Sequence, residues 1–189
     1  PKAVDAKRRL ADRHRRAAGC GGIEADLTVT RTGENHFFVV TAAASQTRDF
    51  DWLTKNLATN GSVVATDVTS AYTVLAIMGP DARSFLQPLT DADLDNEAFP
   101  FGTSQQIDVG YATVTALRMT YVGELGWELY IPSEFAAHVY ETLTTAGADI
   151  GLKHAGYHAL DSLRLEKGYR HWGHDITDED TPLQAGLSF

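Results

Sequence analysis

The chain has 189 residues, of which 43% are hydrophobic and 22% are charged, a composition typical of a globular protein with a sizeable core. Its single cysteine, Cys20, excludes an internal disulfide framework and any zinc or iron–sulfur site built from several cysteines. No apolar run approaches the ~20 residues needed to cross a bilayer, and the N-terminus lacks the apolar core of a signal peptide. We therefore expect a cytoplasmic protein that does not act at a membrane.

The net charge of −9 is unevenly distributed along the chain. The first sixteen residues carry seven Lys or Arg against two acids, whereas the rest carries nine basic and twenty-three acidic residues. A body this acidic repels nucleic acid, and a basic run at a terminus is usually a solvated helix face or a loose terminus. We expect no nucleic-acid role, and residues 1–20 form a basic segment without an assigned function.

The first strand of the main body contains an unusual aspartate. Residues 23–30 alternate between apolar and polar side chains, which predicts a half-buried strand with Asp26 in its middle, on the polar face. Because aspartate is disfavoured in strands, a central one indicates either a ligand contact or a structural hydrogen bond. A turn over residues 32–35 leads into a second strand over 37–41, which completes a hairpin.

The middle of the chain predicts a helix followed by two strands. Residues 46–57 have helical periodicity, and residues 63–69 and 72–78 are strand-like, the second so apolar that it is predicted to be central in its sheet. Gly79-Pro80-Asp81 is typical of a helix start, since proline fits the first turn and aspartate favours the positive end of the helix dipole.

The last part of the chain predicts a hairpin and two helices. Strands over residues 105–109 and 112–121 meet at a glycine turn. Ser133 is predicted to cap one helix, and a final helix spans about residues 158–167. The order of strands and helices indicates an α+β fold with mostly antiparallel sheet.

The stretch from Thr120 to Pro132 combines a strand end, a glycine turn and a second strand. Apolar residues at positions 127, 129 and 131 alternate with the others, so Glu128 points away from the apolar face. Gly123 and Gly126 can supply the positive φ of a tight turn, which also lets a ligand approach the backbone closely. Glu128 and Tyr121 could then border one cavity; the alternative is an exposed carboxylate beside a hairpin turn.

Histidines and charged residues in and just before the final helix have ordinary explanations. His154 and His158 have the spacing of two metal ligands on one helix face, but Gly156 between them disfavours a continuous helix. We interpret them as surface or partner-bonded histidines and predict no metal site. Pairing of Asp161 with Arg164, or packing of the leucine face, explains most of the charged residues on this short helix. No dinucleotide fingerprint, phosphate-binding loop or nucleophile elbow is present in the sequence.

Three longer motifs follow one another along the second half of the chain. They are Tyr121-Val122-Gly123-Glu124-Leu125-Gly126-Trp127-Glu128, Ala159-Leu160-Asp161-Ser162-Leu163-Arg164-Leu165-Glu166-Lys167-Gly168 and Asp180-Thr181-Pro182-Leu183-Gln184-Ala185-Gly186-Leu187. Together they resemble the folate-binding family of the glycine-cleavage T-protein (aminomethyltransferase). They resemble still more closely the folate portion fused behind the flavin domain of dimethylglycine and sarcosine dehydrogenases.

The resemblance covers residues 21–189 and implies a partial folate-binding domain of the aminomethyltransferase type. By that comparison the flavin domain, the first part of the folate domain and the C-terminal barrel-like domain are missing. The abrupt end at Phe189 is consistent with an incomplete chain.

The resemblance also implies a tetrahydrofolate site with four residues in it. Glu128 matches the family glutamate that accepts hydrogen bonds from the pterin N3–H and 2-amino group. Asp26 matches the aspartate near folate N5 and N10, where an ionised carboxylate would orient the amine, take up its proton or stabilise an iminium. Tyr121 matches a tyrosine that helps to position folate and is expected to cooperate with Asp26 in catalysis. Arg164 is included among the folate-binding residues, with its side chain facing either the ligand or Asp161.

The implied activity is transfer of a one-carbon unit from an amine of the dimethylglycine, sarcosine or glycine type to tetrahydrofolate, giving 5,10-methylenetetrahydrofolate. FAD would belong to a missing upstream domain, so a flavin domain or subunit is an expected partner. T-proteins commonly have arginine where this chain has Leu160, and asparagine near Thr41. The leucine at position 160 favours the dehydrogenase-linked branch of the family. The alternatives are a non-catalytic binding or assembly module of the same fold and a folate-dependent demethylase.

Overall fold

A computed structural model describes residues 4–5 and 21–187 of the chain. Cys20 and the basic run from Lys7 to Arg16 lie outside the described residues, so the predictions made for them stay predictions. The fold is α+β with antiparallel sheets, as the sequence predicts. Among the described residues, no helix combines the length and apolar character that a bilayer crossing requires.

The described residues form two sheets and four α-helices. The strands are β1 (Val4–Asp5), β2 (Leu27–Arg31), β3 (Phe37–Thr41), β4 (Tyr72–Met78), β5 (Thr103–Val109), β6 (Ala112–Leu117) and β7 (Gly126–Pro132). The helices are α1 (Gln46–Lys55), α2 (Ala82–Leu86), α3 (Ala136–Gly147) and α4 (Tyr157–Glu166). The larger sheet has the order β1-β5-β6-β7-β4, and β2 pairs with β3 in the smaller one.

One face of the five-stranded sheet forms the main hydrophobic core. Trp127, Leu129 and Ile131 of β7 are fully buried there, so the predicted apolar face of this strand is confirmed. Tyr130, predicted on the polar face, is buried as well. α2 and α3 pack over the same face. Their buried residues are Ala82, Phe85, Leu86, Val139 and Leu143. Because burial of one large apolar side chain contributes about 1.5–3 kcal/mol, β7 is firmly anchored.

The opposite face of the sheet meets the hairpin of β2 and β3. Phe38 of β3 packs edge-to-face on Tyr130 of β7 and on Tyr72 of β4, with ring centroids 5.3 and 5.4 Å apart. On the other side of the hairpin, the Thr41 hydroxyl donates a hydrogen bond to the Asp49 carboxylate of α1. The hairpin is therefore held between the sheet and α1, which fixes the place of the residues that precede β2.

β2 begins at Leu27 rather than at residue 23, so Asp26 lies directly before the strand and not in its middle. The reason is that β3 ends at Thr41, opposite Leu27, and leaves the preceding residues without a strand partner. The Ile23 N–H donates instead to the Asp180 carbonyl at 2.9 Å. A second hydrophobic cluster forms there from Ile23, Ile176 and Ala185, with Trp172 and Leu187 packed against it.

Two other strand predictions are wrong. β4 is an edge strand rather than a central one: among the described residues it pairs only with β7, and its Val74 side chain is 50% exposed. Apolar content could not show which strands would pair beside it. Residues 63–69 form no strand, because the Asp67 carboxylate accepts the Thr69 N–H at 2.9 Å in a local turn that competes with strand pairing.

The predicted helices are present with shifted ends. α1 ends at Lys55, two residues early, and α4 begins at Tyr157, one residue early. α3 begins at Ala136 after a short 3₁₀ turn that starts at Ser133. The Ser133 hydroxyl does not cap that turn, because it donates to the carbonyl of Ser70 at 2.9 Å.

Gly126 supports a prediction about stability. It does not have the positive φ expected of it; it opens β7, where an added Cβ would lie 2.9 Å from the Ile77 carbonyl oxygen. Gly126→Ala should therefore lower the free energy of unfolding by about 1–3 kcal/mol, measured by urea denaturation. Gly33→Ala is the control, because its Cβ would approach no atom closer than 3.4 Å. Equal stability of the two variants would contradict this account.

Candidate folate site

Tyr121 lies in the loop between β6 and β7. The predicted strand over residues 112–121 ends at Leu117 instead, because the chain turns there and the Arg118 guanidinium donates to the Phe99 carbonyl at 2.6 Å. Gly123 has a φ of +74°, so the glycine turn expected in this loop is confirmed at that position. The turn leaves Tyr121 half-buried.

The surroundings of Tyr121 contain several charged groups. Burial raises the pKa of the Tyr121 phenol above its usual value; the nearby charge of Arg164 opposes this shift, and the carboxylates of Asp26 and Asp175 add to it. Tyr157 at the start of α4 adds a further upward effect on the same pKa. The charges of Asp26 before β2, of Arg164 on α4 and of Asp175 after α4 therefore all affect the pKa of this one phenol.

Asp26 directly precedes β2. The side chain is exposed, and it has no hydrogen bond or ion pair with any other residue that the structure describes. Its neighbour Glu24, by contrast, is paired with Arg48 at 2.7 Å. A carboxylate whose charge affects a half-buried phenol is able to accept a proton or to stabilise a developing cation.

Glu128 lies on the face of β7 that is turned away from the core. It is partly exposed, whereas both neighbours, Trp127 and Leu129, have no exposed surface. Its strand neighbours are Leu117 of β6 and Ala76 of β4. The hydroxyl of Tyr130 donates to Glu128 Oε2 at 2.8 Å, and Oε1 has no hydrogen bond among the described residues. One carboxylate oxygen is therefore available to a ligand.

Arg164 is enclosed by protein groups, with 1% of its surface exposed. Its Nε donates to Asp161 at 2.7 Å, Nη1 donates to the Tyr169 carbonyl at 3.0 Å and to Asp175, and Nη2 donates to both carboxylates. The Arg164 guanidinium holds the pKa of the Asp175 carboxyl well below its usual range. Of the two orientations left open by the sequence, the structure has the one that faces Asp161.

Two residues of this region were missed by the sequence argument. Tyr130, the partner of Glu128, had a signal: residues two apart in a strand share a face, so it had to lie on the same side as Glu128. Asp175 had no such signal, because only the folded chain brings the acidic loop over residues 175–180 against Arg164.

The histidines form no metal site in the part of the chain that the structure describes. His154 precedes α4 and stacks on Tyr140, with ring centroids 5.8 Å apart, so it does not share a helix face with His158. Within residues 21–187, no group of three or more His, Cys, Asp or Glu side chains is arranged to hold a metal ion.

Comparison with known proteins identifies the family. The GCVT N-terminal domain matches residues 17–189. A 4-methylaminobutanoate oxidase (formaldehyde-forming) of Paenarthrobacter nicotinovorans is 42% identical over 168 residues, and the mitochondrial sarcosine dehydrogenase of Homo sapiens is 40% identical over 183 residues. Each match covers 89% of this chain and 20% of the relative. A mitochondrial pyruvate dehydrogenase phosphatase regulatory subunit of Mus musculus is 38% identical over 167 residues, covering 88% of this chain and 19% of the relative.

A solved structure has the same fold. The glycine cleavage system aminomethyltransferase T of Bartonella henselae superposes with a TM-score of 0.70 at 31% identity, covering 88% of this chain and 43% of that one. The chain therefore belongs to the glycine-cleavage T-protein family, as a GCVT N-terminal domain related to sarcosine dehydrogenases. It spans about a fifth of the length of the dehydrogenase and oxidase relatives. Since the human relative is named as mitochondrial, the expected cytoplasmic location stays a prediction.

The ion pair of Arg164 with Asp175 supports a prediction about pH. The pKa of Asp175 is lowered on folding, so its contribution to stability is complete above the ordinary carboxyl pKa of about 3.9 and is lost as the pH falls through the folded value. Asp175→Asn should cost about 1–3 kcal/mol at neutral pH, and the difference from the parent should shrink below about pH 4.

The measurement is urea denaturation of both proteins across this pH range. Asp178→Asn is the control, because Asp178 is exposed in the same acidic loop and should leave the curve nearly unchanged. Parallel pH profiles for the parent and Asp175→Asn would argue against a folding role for this pair.

Proposed function

We propose that this chain binds tetrahydrofolate and transfers to it a one-carbon unit from a small amine of the dimethylglycine, sarcosine or glycine type, giving 5,10-methylenetetrahydrofolate. The proposal is supported by the match of residues 17–189 to the GCVT N-terminal domain, together with a Glu128 carboxylate that keeps one oxygen without a hydrogen bond among the described residues. Amine oxidation would belong to a flavin domain or subunit, since this sequence has no dinucleotide-binding fingerprint.

Each residue has a separate task in this proposal. Glu128 accepts N–H groups of the pterin ring with the oxygen that Tyr130 leaves available, and Tyr121 positions the folate. Tetrahydrofolate would supply the nitrogens N5 and N10 as acceptors of the carbon, which must already be at the formaldehyde oxidation level that flavin-dependent oxidation of the amine provides. Asp26 takes up a proton released from these nitrogens or stabilises the iminium, because its carboxylate has no competing partner among the described residues.

Arg164 acts indirectly in this proposal. All three of its guanidinium nitrogens already donate to protein acceptors, so direct contact with folate would require one of those bonds to break. Its positive charge nevertheless acts on Tyr121. We therefore assign Arg164 a positioning role: through Asp175 it joins α4 to the loop that follows this helix.

A non-catalytic assembly module is the second candidate, and one feature favours it. An apolar cleft of about 260 Å³ opens between the β2–β3 hairpin and α1. Its walls include Leu27, Val29, Phe37, Val39, Trp52 and Leu53. Apolar surface of this kind is typical of a contact with another polypeptide, and one relative of this chain is named as a regulatory subunit.

Calorimetric titration with tetrahydrofolate separates the two candidates and tests Glu128. The parent chain should bind, and Glu128→Gln should weaken binding about tenfold or more, because a charge-assisted hydrogen bond contributes about 1.5–3 kcal/mol. Glu124→Gln is the matched control: Glu124 flanks the same turn but is paired with Lys167 at 2.9 Å. Equal losses in the two variants would defeat the assignment of Glu128, and no binding by the parent would favour the assembly module.

Asp26→Asn tests the transfer step. Asparagine keeps the size and hydrogen-bonding capacity while removing the charge and most of the basicity, so transfer should slow by about 10²-fold with folate affinity and melting temperature nearly unchanged. The assay needs a longer polypeptide that includes the domains present in the relatives, with methylenetetrahydrofolate and free formaldehyde followed separately. A variant that transfers at the parent rate, or that simply unfolds, would make Asp26 a structural residue.

A further inference from the structure

Tyr130 is a buried residue whose polar end lies beside the candidate site. Only 3% of its surface is exposed, and its hydroxyl donates to Glu128 Oε2 at 2.8 Å. A buried hydroxyl without a partner is costly, so this bond is strongly favoured. Burial, reinforced by the charge of Glu128, raises the pKa of Tyr130 far above its usual value, and the phenol therefore remains a neutral donor.

The ring of Tyr130 is held on three sides. Val74 of β4 and Thr115 of β6 are its neighbours across the sheet. Phe38 of β3 packs on the ring at 5.3 Å with an interplanar angle of 86°, and the same phenylalanine contacts Tyr72 at the edge of the sheet. The hydroxyl therefore has little freedom to leave Glu128, and the hairpin that follows Asp26 is tied to the strand that carries Glu128.

We propose that Tyr130 is the positioning residue for pterin recognition: it fixes the Glu128 carboxylate through Oε2 and leaves Oε1 to accept the N–H groups of a reduced pterin. This inference rests on the proposed function and adds a specific residue to it. Holding a carboxylate in one orientation before the ligand arrives reduces the ordering that binding requires. Phe38 supports the arrangement by keeping the Tyr130 ring in place.

Tyr130→Phe tests this inference, because it removes only the hydroxyl. Tetrahydrofolate affinity, measured by calorimetry, should fall about fivefold to tenfold. Affinity for 4-aminobenzoylglutamate, which keeps the folate tail but lacks the pterin, should not change. Tyr111→Phe is the matched control, because Tyr111 is 72% exposed on the β5–β6 turn and should leave both affinities unchanged.

A double-mutant cycle distinguishes positioning from a general structural effect. In a Glu128→Gln background, Tyr130→Phe should change tetrahydrofolate affinity by less than about twofold, because the carboxylate that it orients is already gone. An undiminished effect in that background, or equal weakening of tetrahydrofolate and 4-aminobenzoylglutamate, would overturn the inference. Unchanged tetrahydrofolate affinity in Tyr130→Phe would also overturn the inference, provided that the parent chain binds tetrahydrofolate. If the parent chain does not bind it, the proposed function itself is overturned.

Phe38→Leu provides a second variant if Tyr130→Phe fails to fold. Leucine keeps an apolar contact with the sheet but loses the perpendicular ring that holds Tyr130. Tetrahydrofolate affinity should fall about threefold, with 4-aminobenzoylglutamate again unaffected. Unchanged affinity for tetrahydrofolate in this variant would count against Tyr130 as the positioning residue.

Discussion

The complete burial of three alternate residues of β7 is the constraint on which the candidate site depends. Because Trp127, Leu129 and Ile131 are fixed in the core, the strand cannot rotate or slip by one residue without exposing all of them. Glu128 and Tyr130 must then face the other side of the sheet, toward the hairpin. The core therefore determines the direction of the carboxylate, and the hydroxyl beside it determines its orientation.

A second constraint acts at the other end of the site, where a buried cation joins two segments. Arg164 is enclosed between Asp161, on its own helix, and Asp175, in the loop that follows. A buried charge is tolerated only when its hydrogen bonds are satisfied, and here all three guanidinium nitrogens have acceptors. The charge of Arg164 also lowers the pKa of Tyr121, against the upward effect of burial, so the same network acts electrostatically on one candidate site residue.

The hairpin has one face against the sheet and one face that lines an apolar cleft. Phe38 packs on the sheet, while the other face of the hairpin lines the cleft beside α1. β4, the outer strand next to Phe38, also exposes Val74. Apolar surfaces of this kind are typical of contacts with another polypeptide.

Features that depend on neighbours along the chain could be predicted from the sequence. The period of two in β7 predicts the direction of Glu128, and the glycine turn and helices follow from local residue preferences. Only the folded chain shows that β4 lies at an edge, that Asp26 precedes its strand and that Arg164 is enclosed. These outcomes depend on pairings between distant segments, such as the hydrogen bond from Trp172 to the Ile23 carbonyl, and local periodicity carries no information about which distant segments will meet.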